Sequence, residues 1–147
     1  MNKLTAALVL TLIATFFVVG CHRDHAVRFT TTHLPPIVIY TVKPGECDVS
    51  APQATGHISL GHRFTWQSGD RYSYTVVFRQ ADGTPGSGTP FRDPHNPTTL
   101  LYTFPVTPSA PAVSPVPYQQ GYFEYGINDQ NGKLCKDPKD PGLIVKG

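Results

Sequence analysis

Three cysteines and six histidines are the residues of this chain whose chemistry reaches beyond packing. Cys21 stands between the apolar run FFVVG and the polar run HRDH, while Cys47 and Cys135 lie 88 positions apart. A reactive thiol wants a cationic neighbourhood to lower its pKa. Lys136 adjoins Cys135, but no histidine is close in sequence to Cys47 or Cys135. Among the histidines, His22 and His25 are three apart in a polar stretch, and His57 and His62 are five apart with Gly61 between them. A straight strand sends residues five apart to opposite faces, so only a turn at Gly61 brings that pair together. No Cys-x-x-Cys, His-Glu-x-x-His or acidic calcium loop is present, so neither a metal nor another small-molecule cofactor is expected. Asp93 and His95, with Ser68 and Ser87, supply the residue types of a hydrolytic triad, but no Gly-x-Ser-x-Gly elbow presents a nucleophile. Beyond the first twenty residues the glutamates are Glu46 and Glu124, which gives no paired carboxylates for glycoside chemistry. No catalytic residue is assigned, and the chain is expected not to be an enzyme.

The N-terminus carries a different chemistry. Asn2 and Lys3 precede an uncharged run, residues 4–20, interrupted only by Thr5, Thr11 and Thr15. A membrane span needs about 20 apolar residues, and a positive start followed by a shorter apolar centre and small residues describes a secretory signal. Val18, Val19, Gly20 and Cys21 resemble the lipobox of bacterial lipoproteins, with Val18 where leucine is commonest. The resemblance covers residues 1–21. It implies a diacylglyceryl group on the Cys21 thiol, cleavage after Gly20 and acylation of the new amine; His22, rather than Asp, after the cysteine implies the outer membrane over the inner one. Two or three acyl chains hold a protein stably where one does not. The expected organisation is a cleaved, helical signal peptide over 1–20, a lipidated cysteine and tether over 21–35, and a β domain over 36–147.

Without Lys3, eleven lysines and arginines face ten aspartates and glutamates, a balance that gives no reason to expect nucleic acid as a partner. Export places the remaining cysteines in an oxidising compartment, where Cys47 and Cys135 are expected to form a disulfide. Closing so long a loop removes roughly 4 to 5 kcal/mol of denatured-state entropy in the chain-entropy model.

The elements that must position these residues are strands. IVIYTV (37–42) is a β-branched run, with CDVS read as a short continuation. After Gly61, Phe64 and Trp66 alternate with Arg63, Thr65 and Gln67, and Tyr72, Tyr74, Val76 and Phe78 repeat at period two. Residues 81–99 are rich enough in Gly, Pro, Asp and Asn to forbid regular structure over most of their length; a loop of that size is more often functional or mobile than decorative. LLYTFPV is a strand expected to stop at Pro105, and the proline-rich segment 107–117 excludes central-strand pairing. Phe123, Tyr125 and Ile127 alternate again, Asn131-Gly132 signals a hairpin returning through Cys135, and LIVK closes the chain. No stretch beyond the signal keeps a helical period for three turns.

The expected fold is all-β, a small two-sheet sandwich. The Trp strand, the long loop and the late GYFEYGI strand loosely resemble an immunoglobulin-like or fibronectin-like module, in which Tyr122 or Tyr125 would make a corner hydrogen bond. Cys135 follows the tyrosine-rich strand, whereas immunoglobulin domains pair cysteines on facing strands around the tryptophan. The expected function is that of an outer-membrane-anchored lipoprotein acting as a non-enzymatic binding or structural accessory module. Its partners would be the membrane, through lipid on Cys21, and an envelope protein or cell-wall component. Recognition is expected on the 81–99 loop, with Arg92, Asp93 and His95 as candidate contacts, and on segment 107–117. Two alternatives are an inhibitor or immunity-type lipoprotein inserting Arg92 and Asp93 into a cell-wall hydrolase, and a small envelope hydrolase using Asp93 and His95. Tyr72, Tyr102, Tyr118 and Tyr122 would form an adhesive patch if exposed together.

Overall fold

Alternating β-branched and aromatic residues build eleven strands in the computed structural model, which describes residues 34–78, 88–136 and 139–147. The expectations for residues 1–33, Cys21 among them, and for Ser87 lie outside the described residues. The strands are β1 (Ile37–Lys43), β2 (Glu46–Val49), β3 (Gln53–His57), β4 (Thr65–Ser68), β5 (Tyr74–Phe78), β6 (Arg92–Asp93), β7 (Asn96–Leu100), β8 (Thr103–Val106), β9 (Ala112–Val113), β10 (Gly121–Asn128) and β11 (Gly142–Lys146). One sheet has the order β2-β1-β4-β9 and the other β3-β11-β10-β5-β8, with β6 and β7 forming a separate hairpin. The fold is an all-β, two-sheet sandwich. Two of its pairings, β1 with β4 and β11 with β3, are parallel.

The faces that the period-two pattern makes apolar meet in the core. Ile37, Ile39, Val49 and Trp66 come from the first sheet, and Val76, Phe78, Phe104, Tyr125, Ile127 and Leu143 from the second. Trp66, with 0% of its surface exposed, is the hub. Its ring lies 5.1 Å from Phe104, 5.9 Å from Tyr125, 6.1 Å from Phe78 and 6.2 Å from Phe91. Three of those contacts are edge-on, the geometry that the ring quadrupole favours.

The long loop departs from expectation. Within residues 81–99, β6 and β7 pair through Arg92 with Leu100 and Asp93 with Asn96, so this stretch contains a hairpin. The residues that seat it are Thr89 and Phe91, both 0% exposed. Phe91 enters the Trp66 cluster, and the Thr89 hydroxyl donates to the Leu101 carbonyl at 2.6 Å. One aromatic and one satisfied hydroxyl thus outweigh the local turn propensity. Pro105 does not end its strand either. It sits inside β8, opposite Thr75, and is tolerated because β8 is the edge of its sheet, where a missing N–H leaves no ladder bond unmade.

The turn at Asn131-Gly132 forms, with Gly132 at φ 76° and Asp129 N–H donating to the Lys133 carbonyl at 2.8 Å. The returning limb makes a single bridge, Leu134 to Asn128, rather than a strand. It then crosses to the first sheet, where Cys47 N–H donates to the Lys136 carbonyl (3.2 Å) and Cys135 is disulfide-bonded to Cys47 across a Cα separation of 5.5 Å. The disulfide therefore joins the β2 edge of one sheet to the strand-end turn of the other.

A second tie joins the sheets through Asp70, in the turn after β4. Its Oδ2 accepts from Thr41 N–H of β1 (2.8 Å) and from the Tyr74 hydroxyl of β5 (2.6 Å), and its Oδ1 accepts from Tyr72 N–H (2.9 Å). Because the Tyr74 proton goes to the carboxylate, the Thr41 hydroxyl, 2.8 Å away, donates to the Tyr74 oxygen. Ser68, expected in a solvated turn, is buried, with Oγ 2.8 Å from the Tyr72 carbonyl and 2.9 Å from that of Asp70. Burial pushes the Asp70 carboxyl upward, but the bonds from Tyr74, Thr41, Tyr72 and Ser68 together outweigh it and hold the group below its ordinary value of 3.8. Burial and the Asp70 bond push the Tyr74 hydroxyl well above its own. A depressed carboxyl stabilises the fold above the unfolded-state pKa and loses that contribution as pH falls through the folded value. Asp70→Asn should lower the unfolding free energy by about 2 kcal/mol at neutral pH. Urea titrations of both proteins should show the gap narrowing as pH falls below about 4.

Candidate functional site

Arg92 and Asp93, two of the side chains singled out in the sequence, sit at one end of the sandwich. There the β6–β7 hairpin and the chain following β9 border a groove of about 590 Å³. Arg92, Asp93, Pro94 and Pro97 contribute from the hairpin, Val113, Ser114, Pro115 and Val116 from the proline-rich segment, and Arg63, Leu101 and Phe104 complete the lining. Residues 92–97 and 113–116, from two segments read separately as candidate recognition loops, thus share one concave surface.

Core contacts hold both walls. Ser114, 1% exposed, donates its N–H to the Phe64 carbonyl (2.8 Å), while Phe64 N–H donates to Ser114 Oγ (2.9 Å). This reciprocal pair fixes the proline-rich segment to the residue before β4. On the other wall, Phe91 is buried next to Arg92, and Tyr118 N–H donates to the Pro90 carbonyl at 2.9 Å. The Arg92 guanidinium then lies 3.9 Å from the centre of the Tyr118 ring, a cation–π contact that orients the charge without neutralising it.

The three candidate contacts divide. Arg92 and Asp93 line the groove, and His95 does not. His95 is exposed at the tip of the hairpin, where its backbone N–H donates to Asp93 Oδ1 at 2.8 Å. That bond is an Asx turn, so the carboxylate shapes the hairpin and the imidazole takes no part in it. The arrangement is not the imidazole–carboxylate pair that hydrolysis would use. Arg63 and Phe104 were missed as site residues, whereas Val113 falls in segment 107–117 and Tyr118 was named only as part of an exposed tyrosine patch. Tyr118 carried a signal, as an aromatic without an evident core partner; Arg63 had none beyond its place on the outer face of the Trp66 strand.

A cleft of about 290 Å³ lies at the other end of the sandwich, lined by Thr41, Pro44, Gly45, Tyr72, Tyr74, the turn 129–131 and the disulfide. The two ends are identified by β4, which leaves Arg63 beside the groove and reaches Ser68 beside the Asp70 tie. The Tyr74 hydroxyl in the cleft is already committed to Asp70 and Thr41, and Arg71 stacks on Tyr72 at 5.3 Å. With Tyr72 at the cleft and Tyr118 at the groove, the four tyrosines do not gather into one patch.

Gly61, at φ 64°, makes the turn that brings His57 and His62 together. His57 N–H donates to His62 Nδ1 at 3.2 Å, and the rings meet edge-on at 5.8 Å. The backbone bond occupies that imidazole nitrogen. Among the described residues no group of three or more His, Cys, Asp or Glu side chains is placed to hold a metal ion.

No family model and no curated protein matches the chain. Similar solved structures include amicyanin from Paracoccus versutus, 13% identical over 77% of this chain and 85% of that one with a TM-score of 0.43. Another is the reduced state of an amicyanin mutant, 12% identical over 76% and 82% with a TM-score of 0.42. At these values the likeness assigns neither a family nor a ligand.

The stack on Tyr118 is expected to position Arg92 more than to stabilise the fold. Tyr118→Leu should change the unfolding free energy by less than about 1 kcal/mol, while hydrogen exchange at the Leu101 amide, bonded to the Phe91 carbonyl at the hairpin's base, should quicken.

Proposed function

We propose that this protein is a lipid-anchored lipoprotein of the bacterial envelope, at the outer membrane, and a non-enzymatic binding or accessory module whose working surface is the groove. The observation that carries the proposal is the convergence of two loop segments on one concavity whose walls are seated in a rigid core. Loops positioned by such a scaffold are where recognition concentrates. The lipobox-like run ending at Cys21 supports the anchor. Leu34 donates its N–H to the Arg63 carbonyl at 3.4 Å, so the chain enters the sandwich beside the groove. Residues 22–33 would reach at most roughly 40 Å if extended, which keeps the groove within range of proteins in and on the same membrane.

The inhibitor alternative wants a side chain that projects into a hydrolase cleft. Arg92 lies flat on Tyr118 within a concave surface, which supports a groove that receives a partner. The Asx-turn role of Asp93 likewise favours a binding module over a hydrolase.

Intact mass measurement on membranes should find the wild-type chain without residues 1–20 and with diacylglyceryl plus an acyl chain, and Cys21→Ser without either lipid. Pro97→Asp combined with Val113→Asp places charge on exposed groove positions, so folding should persist. Any partner co-purifying with the anchored wild type should then be lost; retention of every partner would remove the groove from the proposal.

A further inference from the structure

We infer that the groove receives an extended polypeptide segment in which an acidic residue is flanked by aliphatic ones, an inference that rests on the groove being the working surface. Charge complementarity is the first argument. Arg63 and Arg92 both line the groove, and no carboxylate lies within ion-pair distance of either among the described residues; the ion pairs found there are Lys43 with Glu46 and Lys139 with Asp48. Among the described residues Asp93 is the single carboxylate in the lining, and its Oδ1 accepts from His95 N–H. Two cations therefore face one carboxylate that is partly committed. The Tyr118 ring holds the face of the Arg92 guanidinium at 3.9 Å, which leaves the N–H edge to grip a partner carboxylate in a fork.

Shape and apolarity supply the second argument. The apolar part of the lining is Val113, 45% exposed, with Leu101, Phe104 and Pro115. Such walls suit aliphatic side chains and offer little to a sugar or a bare phosphate. β8 and β9 are the edge strands of the two sheets, and both border the groove through Phe104 and Val113. An extended segment running along these edges would present alternate side chains to the apolar wall. A flat lipid surface would match the charge but not the concavity.

The test places the photo-crosslinking residue benzoylphenylalanine at Val113 in the full-length chain, or at Gln130 in the opposite cleft as a comparison, and irradiates the cells that make it. Sequencing the attached peptide by mass spectrometry should reveal an Asp or Glu within about three residues of the attachment point, the reach of a side chain along an extended strand. The yield should fall on the order of tenfold in Arg63→Gln with Arg92→Gln, for loss of the charge-assisted bonds. Both arginines are exposed, and circular dichroism would verify that the variant folds. Attachment at Val113 to a peptide without a nearby acid, to a lipid or to a glycan, or a yield indifferent to the two substitutions, would overturn the inference while leaving the groove as the working surface. Attachment from Gln130 alone, or from neither position, would overturn the groove itself.

Discussion

The burial of Trp66 between the two sheets is the constraint on which the rest of the molecule depends. Its ring touches residues from β5, β8 and β10 and, through Phe91, the chain that leads into the hairpin. Its Nε1–H has no hydrogen-bond partner among the described residues. An unsatisfied buried donor costs about 1 to 3 kcal/mol, whereas removing a tryptophan from water contributes about 4 to 6 kcal/mol at the usual coefficient. Packing therefore decides the ring's position. The same cluster supplies the groove, because Phe104 belongs to both the core and the lining, and Phe91 precedes Arg92. The candidate binding surface is thus the outer side of the best-packed part of the protein.

The two ends of the sandwich divide the work of holding the fold and offering a surface. At the cleft end, the Asp70 tie and the disulfide connect β1 and β2 to elements of the opposite sheet, and the polar groups there bond mostly to one another. At the groove end the sheets are joined by aromatic packing, while the Ser114–Phe64 pair holds the chain after β9 to β4 within one sheet, and the arginines there have no carboxylate partner among the described residues. Entry of the chain at Leu34, beside Arg63, gives this division a direction relative to the proposed anchor.

Much of the architecture is legible in the residues. Period-two alternation marks β4, β5 and β10, and the Cys47–Cys135 disulfide was expected from the count of cysteines in a chain read as exported. Gly61 is the visible condition for the His57–His62 contact. What stays hidden depends on distant partners. Phe91 and Thr89 sit among glycines and prolines whose turn propensity dominates any local window, and only the Trp66 cluster and the Leu101 carbonyl, contributed from elsewhere, draw them inward. Pro105 reads as a stop until β8 proves to be an edge. The parallel neighbours of β1 and β11 are set by crossover connections that no turn motif announces. The groove was half legible. Each loop stood out by composition, but their meeting needs the β4–β9 pairing, and the spacing of Asp93 and His95 suggested side-chain chemistry where the chain makes an Asx turn.

The most direct test of the account is hydrogen exchange on the full-length chain, compared between membranes of the cells that make it and the detergent-purified protein. The account predicts that exchange in the membranes is slower at the amides of 92–101 and 113–116, which border the groove, and unchanged at 41–45 and 129–131 at the cleft. Unaltered exchange along the groove, or protection confined to the cleft end, would contradict it.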